Sequence, residues 1–298
     1  MKTLKELLKL KGAILGHFKS PINGRELVAI VTGLAGDSKN DKTGEIPQVS
    51  ILDANVSPTD AVRLGLDESN CGHCVLRPIL AKLAGSKTTC YVNKGQAPNA
   101  IYKAYKNGSY ETINPDQLIQ ILTTRRLSLR WGAYGDVSML PFLFVDSINS
   151  ALIENGLNVL SYTHGWTEDS YKTTFDARHF WWSMASIDAK NTVEKLRERF
   201  PQKIDRVNYY GTGMAGVYGE VVFGETGHEI RYYRIRNNQL NVLQNNEVNC
   251  PSSGDKRHEP RTAREIKKGK GARLVVCDSC NLCGGSQKQA KSISIEKE

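Results

Sequence analysis

Residues 127–164 read LSLRWGAYGDVSMLPFLFVDSINSALIENGLNVLSYTH, and this stretch indicates the fold class most clearly. Apolar runs predict strands over Leu127–Ala133 and Leu157–Tyr162, and the longer pattern between them predicts a helix over Ser138–Asn155. A strand, a crossover helix and a second strand are typical of a parallel βαβ unit.

The chain on either side extends this pattern. The sequence predicts an amphipathic helix over Met1–Gly16, and further elements at Glu26–Leu34, Gln48–Asp53, Pro58–Leu64, His179–Ile187, Asn191–Phe200 and Arg206–Tyr210. We therefore expect an α/β fold, either a parallel (βα) partial barrel or an open doubly wound sheet. Neither G-x-G-x-x-G after the first strand nor G-x-x-x-x-G-K-[ST] is present.

Composition and cysteine positions predict four regions. They are an N-terminal helix or arm (1–24), an α/β barrel-like domain with a cysteine loop (25–236), a cysteine-rich extension with a basic loop (237–285) and a polar, disordered tail (286–298).

The seven cysteines form two groups. The front group is Cys71, Cys74 and Cys90, and the back group is Cys250, Cys277, Cys280 and Cys283. Four thiolates can close a zinc site or hold an iron–sulfur cluster, whereas three leave one position open for a substrate or cofactor. The sequence thus predicts two metal sites, one open and one closed.

Other interpretations of the cysteines stay open. A C-x-x-C pair also suits a disulfide, but an odd cysteine count without a secretory signal favours a reducing compartment, the cytoplasm. Cys90 could be a buried core residue, and zinc and iron–sulfur clusters share thiolate ligands.

Polar residues follow several predicted strands. Gly135-Asp136 comes after the first, Thr163-His164 after the next, and Ser186 and Asp188 after a third. Since chemistry gathers at the carboxyl ends of parallel strands, these residues are candidates for a shared site. Asp136 and Asp188 could instead be helix N-caps, and His164 could lie in a surface turn.

The net charge of +9 predicts an anionic partner, with nucleic acid as one candidate. Much of this charge lies in residues 256–273, between Cys250 and Cys277, where a solvated basic loop is the alternative. No stretch approaches the roughly 18 apolar residues of a membrane span, so no membrane partner is expected.

The order of a cysteine loop, Gly135-Asp136, Tyr162-Thr163-His164-Gly165 and Ser186-Ile187-Asp188 resembles a divergent radical S-adenosylmethionine (radical SAM) enzyme. The resemblance covers roughly residues 25–210. It differs in the fifteen residues between Cys74 and Cys90, and in Asp136 and His164 where glutamate and asparagine are usual.

The resemblance implies a function and its cofactors. Cys71, Cys74 and Cys90 would hold a [4Fe–4S] cluster that binds S-adenosylmethionine, and an electron donor would supply the electron for a 5′-deoxyadenosyl radical. The implied cofactor-binding residues are Gly135, Asp136, Thr163 and Ser186, and the implied catalytic residues are Asp136, His164 and Asp188. The back cysteines would hold an auxiliary cluster or zinc.

The chain is also similar to an uncharacterised group of bacteriophage proteins that share Cys-Tyr, Tyr-Gly-Asp, Tyr-Thr-His and a C-terminal C-x-x-C-x-x-C, which would place it in the host cytoplasm. The competing function is a zinc protein that binds or modifies nucleic acid, either as a base-exchange or hydrolytic enzyme or as a non-catalytic adaptor. In that case Cys250, Cys277, Cys280 and Cys283 would bind Zn²⁺, and His73 could complete a second site with the front cysteines.

Overall fold

The computed structural model describes residues 2–36, 44–83, 90, 92–166, 175–187, 193–201, 203–213, 216–224, 230–236, 247–249 and 292–296. Cys250, Cys277, Cys280, Cys283, Asp188 and the basic segment 256–273 lie outside these residues, so the predicted back site and extension stay predictions.

The described strands are β1 (Gly12–Lys19), β2 (Glu26–Thr32), β3 (Gln48–Asp53), β4 (Glu111–Thr112), β5 (Leu129–Tyr134), β6 (Val159–Leu160), β7 (Tyr162–Thr163), β8 (Met184–Ile187), β9 (Lys203–Gly213), β10 (Gly216–Gly224), β11 (Tyr232–Arg236), β12 (Glu247–Asn249) and β13 (Ser292–Glu296). The helices are α1 (Leu4–Leu7), α2 (Pro58–Leu64), α3 (Glu68–Cys71), α4 (Pro78–Leu83), α5 (Ala97–Lys106), α6 (Pro115–Arg125), α7 (Phe142–Glu154) and α8 (Val193–Arg199), with short 3₁₀ turns at Val137–Met139 and Ala177–Trp181.

The strands form two larger sheets and a hairpin. The first sheet has the order β4-β1-β2-β3-β5-β6, and the second has the order β12-β13-β11-β8-β7. Strands β1, β2 and β3 pair antiparallel, and β9 pairs antiparallel with β10, whereas every other pairing among the described strands is parallel. The prediction of an α/β fold with a mostly parallel sheet is confirmed.

One short strand segment links the two sheets. Leu129 of β5 pairs with Val159 of β6. Two residues after the end of β6, Tyr162 of β7 pairs with Met184 of β8. Only Ser161 separates β6 from β7, and its buried Oγ accepts a hydrogen bond of 2.8 Å from Ser183 Oγ. The chain therefore changes partner strand at Ser161, and the carboxyl ends of β5 and β7 come close together.

One core cluster joins the first sheet to α6 and α7, and a second joins β1, β2 and β3 to α5. Strand β2 is a run of β-branched and aliphatic residues buried on both faces, which suits a strand flanked by β1 and β3. Helix α7 holds two buried indoles, since Trp131 Nε1 donates to Asn149 at 2.7 Å and Trp182 Nε1 donates to Asp146 at 2.8 Å. These pairs satisfy polar groups that would otherwise be costly to bury.

Three local predictions are wrong. The helix predicted over Met1–Gly16 stops at Leu7, and Gly12–Lys19 forms β1, because its apolar side chains complete the sheet beside β2. The strand predicted from His179 begins only at Met184, after a 3₁₀ turn. In the tail, Ser292–Glu296 forms β13 between β11 and β12, where the composition predicts disorder.

Within the described residues, no helix combines the length and apolar character that crossing a membrane requires.

Candidate functional site

The front cysteines lie in a loop that folds back on itself. Helix α3 ends at Cys71, and Gly72 follows with a φ of +58°, which turns the chain towards Cys74. The N–H of Cys90 donates to the carbonyl of Leu76 at 2.8 Å, which returns the chain to the same place. The loop returns Cys90 towards Cys71 and Cys74, and all three side chains are partly buried.

The thiols are close enough to influence each other. Burial raises the pKa of Cys71 well above 9.0, and negative charge on Cys74, Asp67 or Cys90 raises it further, against the opposing charge of Arg77. Burial also raises the pKa of Cys90. A bound cation would reverse this effect, because thiolates bind metals and thiols do not.

The thiols are neighbours but do not form a preassembled metal site. Among the residues that the structure describes, no three histidine, cysteine, aspartate or glutamate side chains are arranged so that they could hold a metal ion. His73, the alternative fourth ligand, has its Nδ1 3.7 Å from Glu68 Oε1. A metal at Cys71, Cys74 and Cys90 would have to draw the three sulfur atoms together.

The cysteine loop is fixed to the ends of β3 and β5. The N–H of Asp136 donates to the carbonyl of Asn70 at 2.7 Å, and Asn70 Nδ2 donates to the carbonyl of Ile51 at 3.0 Å. Between them Gly135 has a φ of +82°, and a Cβ there would lie 2.5 Å from the Ile51 oxygen and 3.0 Å from the Asn70 oxygen. Only glycine allows so close an approach.

Asp136 links the end of β5 to the end of β7. Its buried Oδ1 accepts from Ser138 N at 3.0 Å, Ser138 Oγ at 2.8 Å and Thr163 Oγ1 at 2.8 Å. Its Oδ2 accepts from the N–H of His164 at 2.7 Å. Asp136 is therefore the N-cap of the 3₁₀ turn Val137–Met139, which is the alternative that the sequence left open. Its side chain also links β5 to β7 by hydrogen bonds.

The other predicted residues gather around this carboxylate to different degrees. Thr163 is fully buried, and its hydroxyl also accepts from the N–H of Gly165 at 3.0 Å. His164 is half-buried at the end of β7. Ser186 is buried in β8, next to Ala185, which pairs with Thr163.

Sequence reasoning missed two ion pairs that support the cysteine loop. Asp53, at the end of β3, accepts from Arg25 Nε at 2.6 Å and from Ser69 Oγ at 3.2 Å. Arg77 donates to Asp67 at 3.0 Å, and both side chains are almost fully buried. The signal was available, since Asp53 ends a predicted strand as Asp136 does, and Arg77 is the basic residue of a largely apolar run between the cysteines.

A buried histidine, also missed, lies beside the Asp136 network. His179 Nε2 donates to the carbonyl of Leu140 at 3.1 Å. Burial lowers the pKa of His179, and the charges of Asp176 and Asp136 oppose this shift without cancelling it. The imidazole is therefore neutral near pH 7.

The site thus combines a loop of three thiols with a hydrogen-bonded rim at the carboxyl ends of parallel strands. Compared with protein-family models, curated proteins and solved structures, the chain has no match.

Proposed function

We propose that this chain is an iron–sulfur enzyme of the radical SAM type, with its cluster on Cys71, Cys74 and Cys90. The observation that carries the proposal is the hydrogen bond from Asp136 N–H to the Asn70 carbonyl, one residue before Cys71. It fixes a loop of three thiols to the carboxyl end of a parallel strand, where α/β enzymes place their chemistry.

The strand order supports the finer fold proposal, a partial (βα) barrel. Parallel strands β3, β5 and β6 are neighbours in chain order in the first sheet, and β7, β8 and β11 are neighbours in chain order in the second, with β6 and β7 joined end to end through Ser161. Such sequential parallel order is typical of (βα) barrels, whereas an open doubly wound sheet reverses direction at a switch point.

Cys71, Cys74 and Cys90 would supply three ligands to a cluster and leave its fourth position open, but only after the loop has drawn their sulfur atoms together. Held by Cys71, Cys74 and Cys90, such a cluster would supply the one-electron reductive cleavage of S-adenosylmethionine that starts radical chemistry on a substrate.

The chain's own residues would position the reactants and exclude water. The side-chain oxygen atoms of Asp136 and Thr163 take part in hydrogen bonds within the protein. We therefore assign these residues a structural role, in which they hold the end of β7 against the cysteine loop. Gly135, which has no side chain, allows the cysteine loop to pack closely against the end of β5. His164 and Ser186, with Asp188 beyond the described residues, remain the candidates for contact with cofactor and substrate.

The back cysteines Cys250, Cys277, Cys280 and Cys283 are proposed to hold an auxiliary cluster or zinc. The basic segment 256–273 between them favours an anionic substrate such as nucleic acid. Both groups of thiols require a reducing compartment, the cytoplasm.

The test is metal analysis of protein purified without oxygen. We expect about four irons with matching sulfide at the front site, and about eight if the back site also holds a cluster. Replacing Cys71, Cys74 or Cys90 by serine should remove the front iron and abolish cleavage of S-adenosylmethionine. His73→Ala, two residues from Cys71, is the matched control and should keep both.

Zinc alone after reconstitution with iron and sulfide would overturn the proposal. The zinc-binding nucleic-acid protein would then be the function to pursue.

A further inference from the structure

The segment that carries the front cysteines has an unusual charge pattern. Residues 69–110 contain none of the 31 acidic residues of the chain. The same segment contains six basic residues and four tyrosines, namely Arg77, Lys82, Lys87, Lys94, Lys103, Lys106, Tyr91, Tyr102, Tyr105 and Tyr110.

Helix α5 presents part of this pattern on the surface. Lys103 and Lys106 are exposed, and Tyr102 and Tyr105 are half-buried with their rings 6.3 Å apart. Lys106 Nζ lies 5.7 Å from the centre of the Tyr105 ring, and the ring centres of His17 and Tyr105 are 5.9 Å apart. The helix thus places cations beside partly exposed aromatic rings.

Two of the three carboxylates whose charge acts on these tyrosines are paired with arginines, and the third, Glu26, contacts a histidine. Glu26, whose charge acts on Tyr105, lies 3.0 Å from His17 Nδ1. Asp60, whose charge acts on Tyr102, is 3.1 Å from Arg63. Asp53, which also acts on Tyr102, is buried against Arg25.

The next acidic residue along the chain is matched as well. Glu111, which follows Tyr110, pairs with Lys2. Lys103 and Lys106 therefore add net positive charge to this face.

The same face adjoins the cysteine loop. Val92, two residues after Cys90, packs with Tyr102, Tyr105 and Tyr110 onto the cluster that contains Tyr134. The charge of Lys94 acts on Cys90, and the charges of Cys71 and Cys90 act on Tyr134. Helix α5 and the residues after Cys90 therefore pack on the same core cluster.

We propose that α5 is a docking surface for single-stranded nucleic acid, which Lys94, Lys103 and Lys106 bind by its phosphates and Tyr102 and Tyr105 bind by base stacking. A basic surface with interleaved aromatic rings is the combination that single strands require. The inference rests on the proposed function, because it names the substrate class of that same site.

The experiment uses the full-length, reconstituted protein and fluorescent oligothymidylate and oligouridylate of about 16 nucleotides. Fluorescence anisotropy measures the dissociation constant at several salt concentrations. Lys103→Ala/Lys106→Ala should weaken binding at least about tenfold, and it should reduce the slope of log affinity against log salt by about 1.4, which is two phosphate contacts on a single strand.

A second variant separates stacking from charge. Tyr105→Leu keeps an apolar side chain on the core cluster but removes the ring, and it should weaken binding about tenfold with an unchanged salt slope. Lys5→Ala/Lys9→Ala removes the same charge from exposed residues of the N-terminal segment and should leave binding unchanged.

The outcomes distinguish this inference from the proposed function. Iron, sulfide and S-adenosylmethionine cleavage are measured on the same preparations. An iron-loaded, cleaving protein whose binding is equal in the α5 variants and the control, or absent altogether, would overturn the docking surface alone. Binding that depends on α5 in protein that takes up no iron would support the surface and overturn the radical SAM proposal.

Discussion

The carboxylate of Asp136 joins parts of the chain that are far apart in sequence. Its side chain binds Thr163 and His164 at the end of β7, and its main chain binds Asn70 beside the first cysteine. The charge is buried, so each hydrogen bond to it also offsets the cost of removing it from water. One residue therefore supports the rim and the cysteine loop together.

Replacing Asp136 by alanine should lower the free energy of unfolding by about 3 kcal/mol, because the N–H groups of Ser138 and His164 and the hydroxyls of Ser138 and Thr163 lose their acceptor. Denaturant unfolding measures the change. Asp136→Asn, which keeps one acceptor oxygen, should lose less. Glu154→Ala, an exposed acidic residue at the end of α7, should stay within about 0.5 kcal/mol of the wild type. Equal losses in Asp136→Ala and Glu154→Ala would show that the network contributes nothing.

At the scale of elements, the contact between α3 and the ends of β3 and β5 depends on Gly135. Its positive φ and the oxygen atoms of Ile51 and Asn70 leave no space for a side chain. Any larger residue must move the strand end or the cysteine loop.

Gly135→Ala should cost about 3 kcal/mol, combining the strain of a positive φ with overpacking. Gly108→Ala is the matched control, because Gly108 has a φ of +68° but nothing within 4 Å of the position that a Cβ would take. It should cost only about 1 kcal/mol. Thermal or denaturant unfolding of both variants checks the difference. Similar losses at the two positions would contradict the close packing at Gly135.

The sequence predicted the elements whose pattern is local. The structure contains the strands predicted at Gln48–Asp53 and Glu26–Leu34, the second ending at Thr32, and the helix predicted at Pro58–Leu64, which Ser57 caps. The strand at Gly12–Lys19 was missed, because its pairing with β2 outweighs the helical pattern around it. Strand β13 was missed for a similar reason, since only its neighbours β11 and β12 make a polar segment a strand.

The candidate site could be predicted only in part. Strand ends gave Asp136 and Thr163, because parallel strands share one edge. The sequence could not show that both carboxylate oxygens of Asp136 accept hydrogen bonds from within the protein, because this depends on the length of the turns after β5 and β7. Asp53 and Arg77 carried a local sequence signal, but their pairing with Arg25 and Asp67 is identified only by the fold.

At the scale of the whole molecule, a buried carboxylate, a half-buried carboxylate and a buried histidine contribute to the pH dependence of stability. Burial alone would raise the pKa of Asp53 and of Asp176, but hydrogen bonds from Arg25 and Arg178 outweigh it and hold both pKa values below 3.8. Burial lowers the pKa of His179 below 6.5. The protein therefore binds fewer protons at these groups than the unfolded chain does as the pH falls.

Stability should decrease in two pH windows. Between 6.5 and the lowered pKa of His179, protonation favours the unfolded chain, and below about 3.8 the stabilisation from Asp53 and Asp176 is lost. Denaturant unfolding from pH 8 to pH 3 measures both. His179→Gln should remove the first decrease, and His17→Gln, at an exposed position, should keep it. A first decrease that persists in His179→Gln would assign it to another group.

The change of partner strand at Ser161 also has a mechanical consequence. Strand segments β6 and β7 belong to different sheets but are continuous through one residue, so a force that separates the sheets loads this backbone along its own axis. The hydrogen bonds of Asp136 with Thr163 and His164 then connect the end of β5 to the end of β7, beside the segment that carries the force. Tension on the second sheet would therefore reach the cysteine loop through these hydrogen bonds and through the bond from Asp136 N–H to the Asn70 carbonyl.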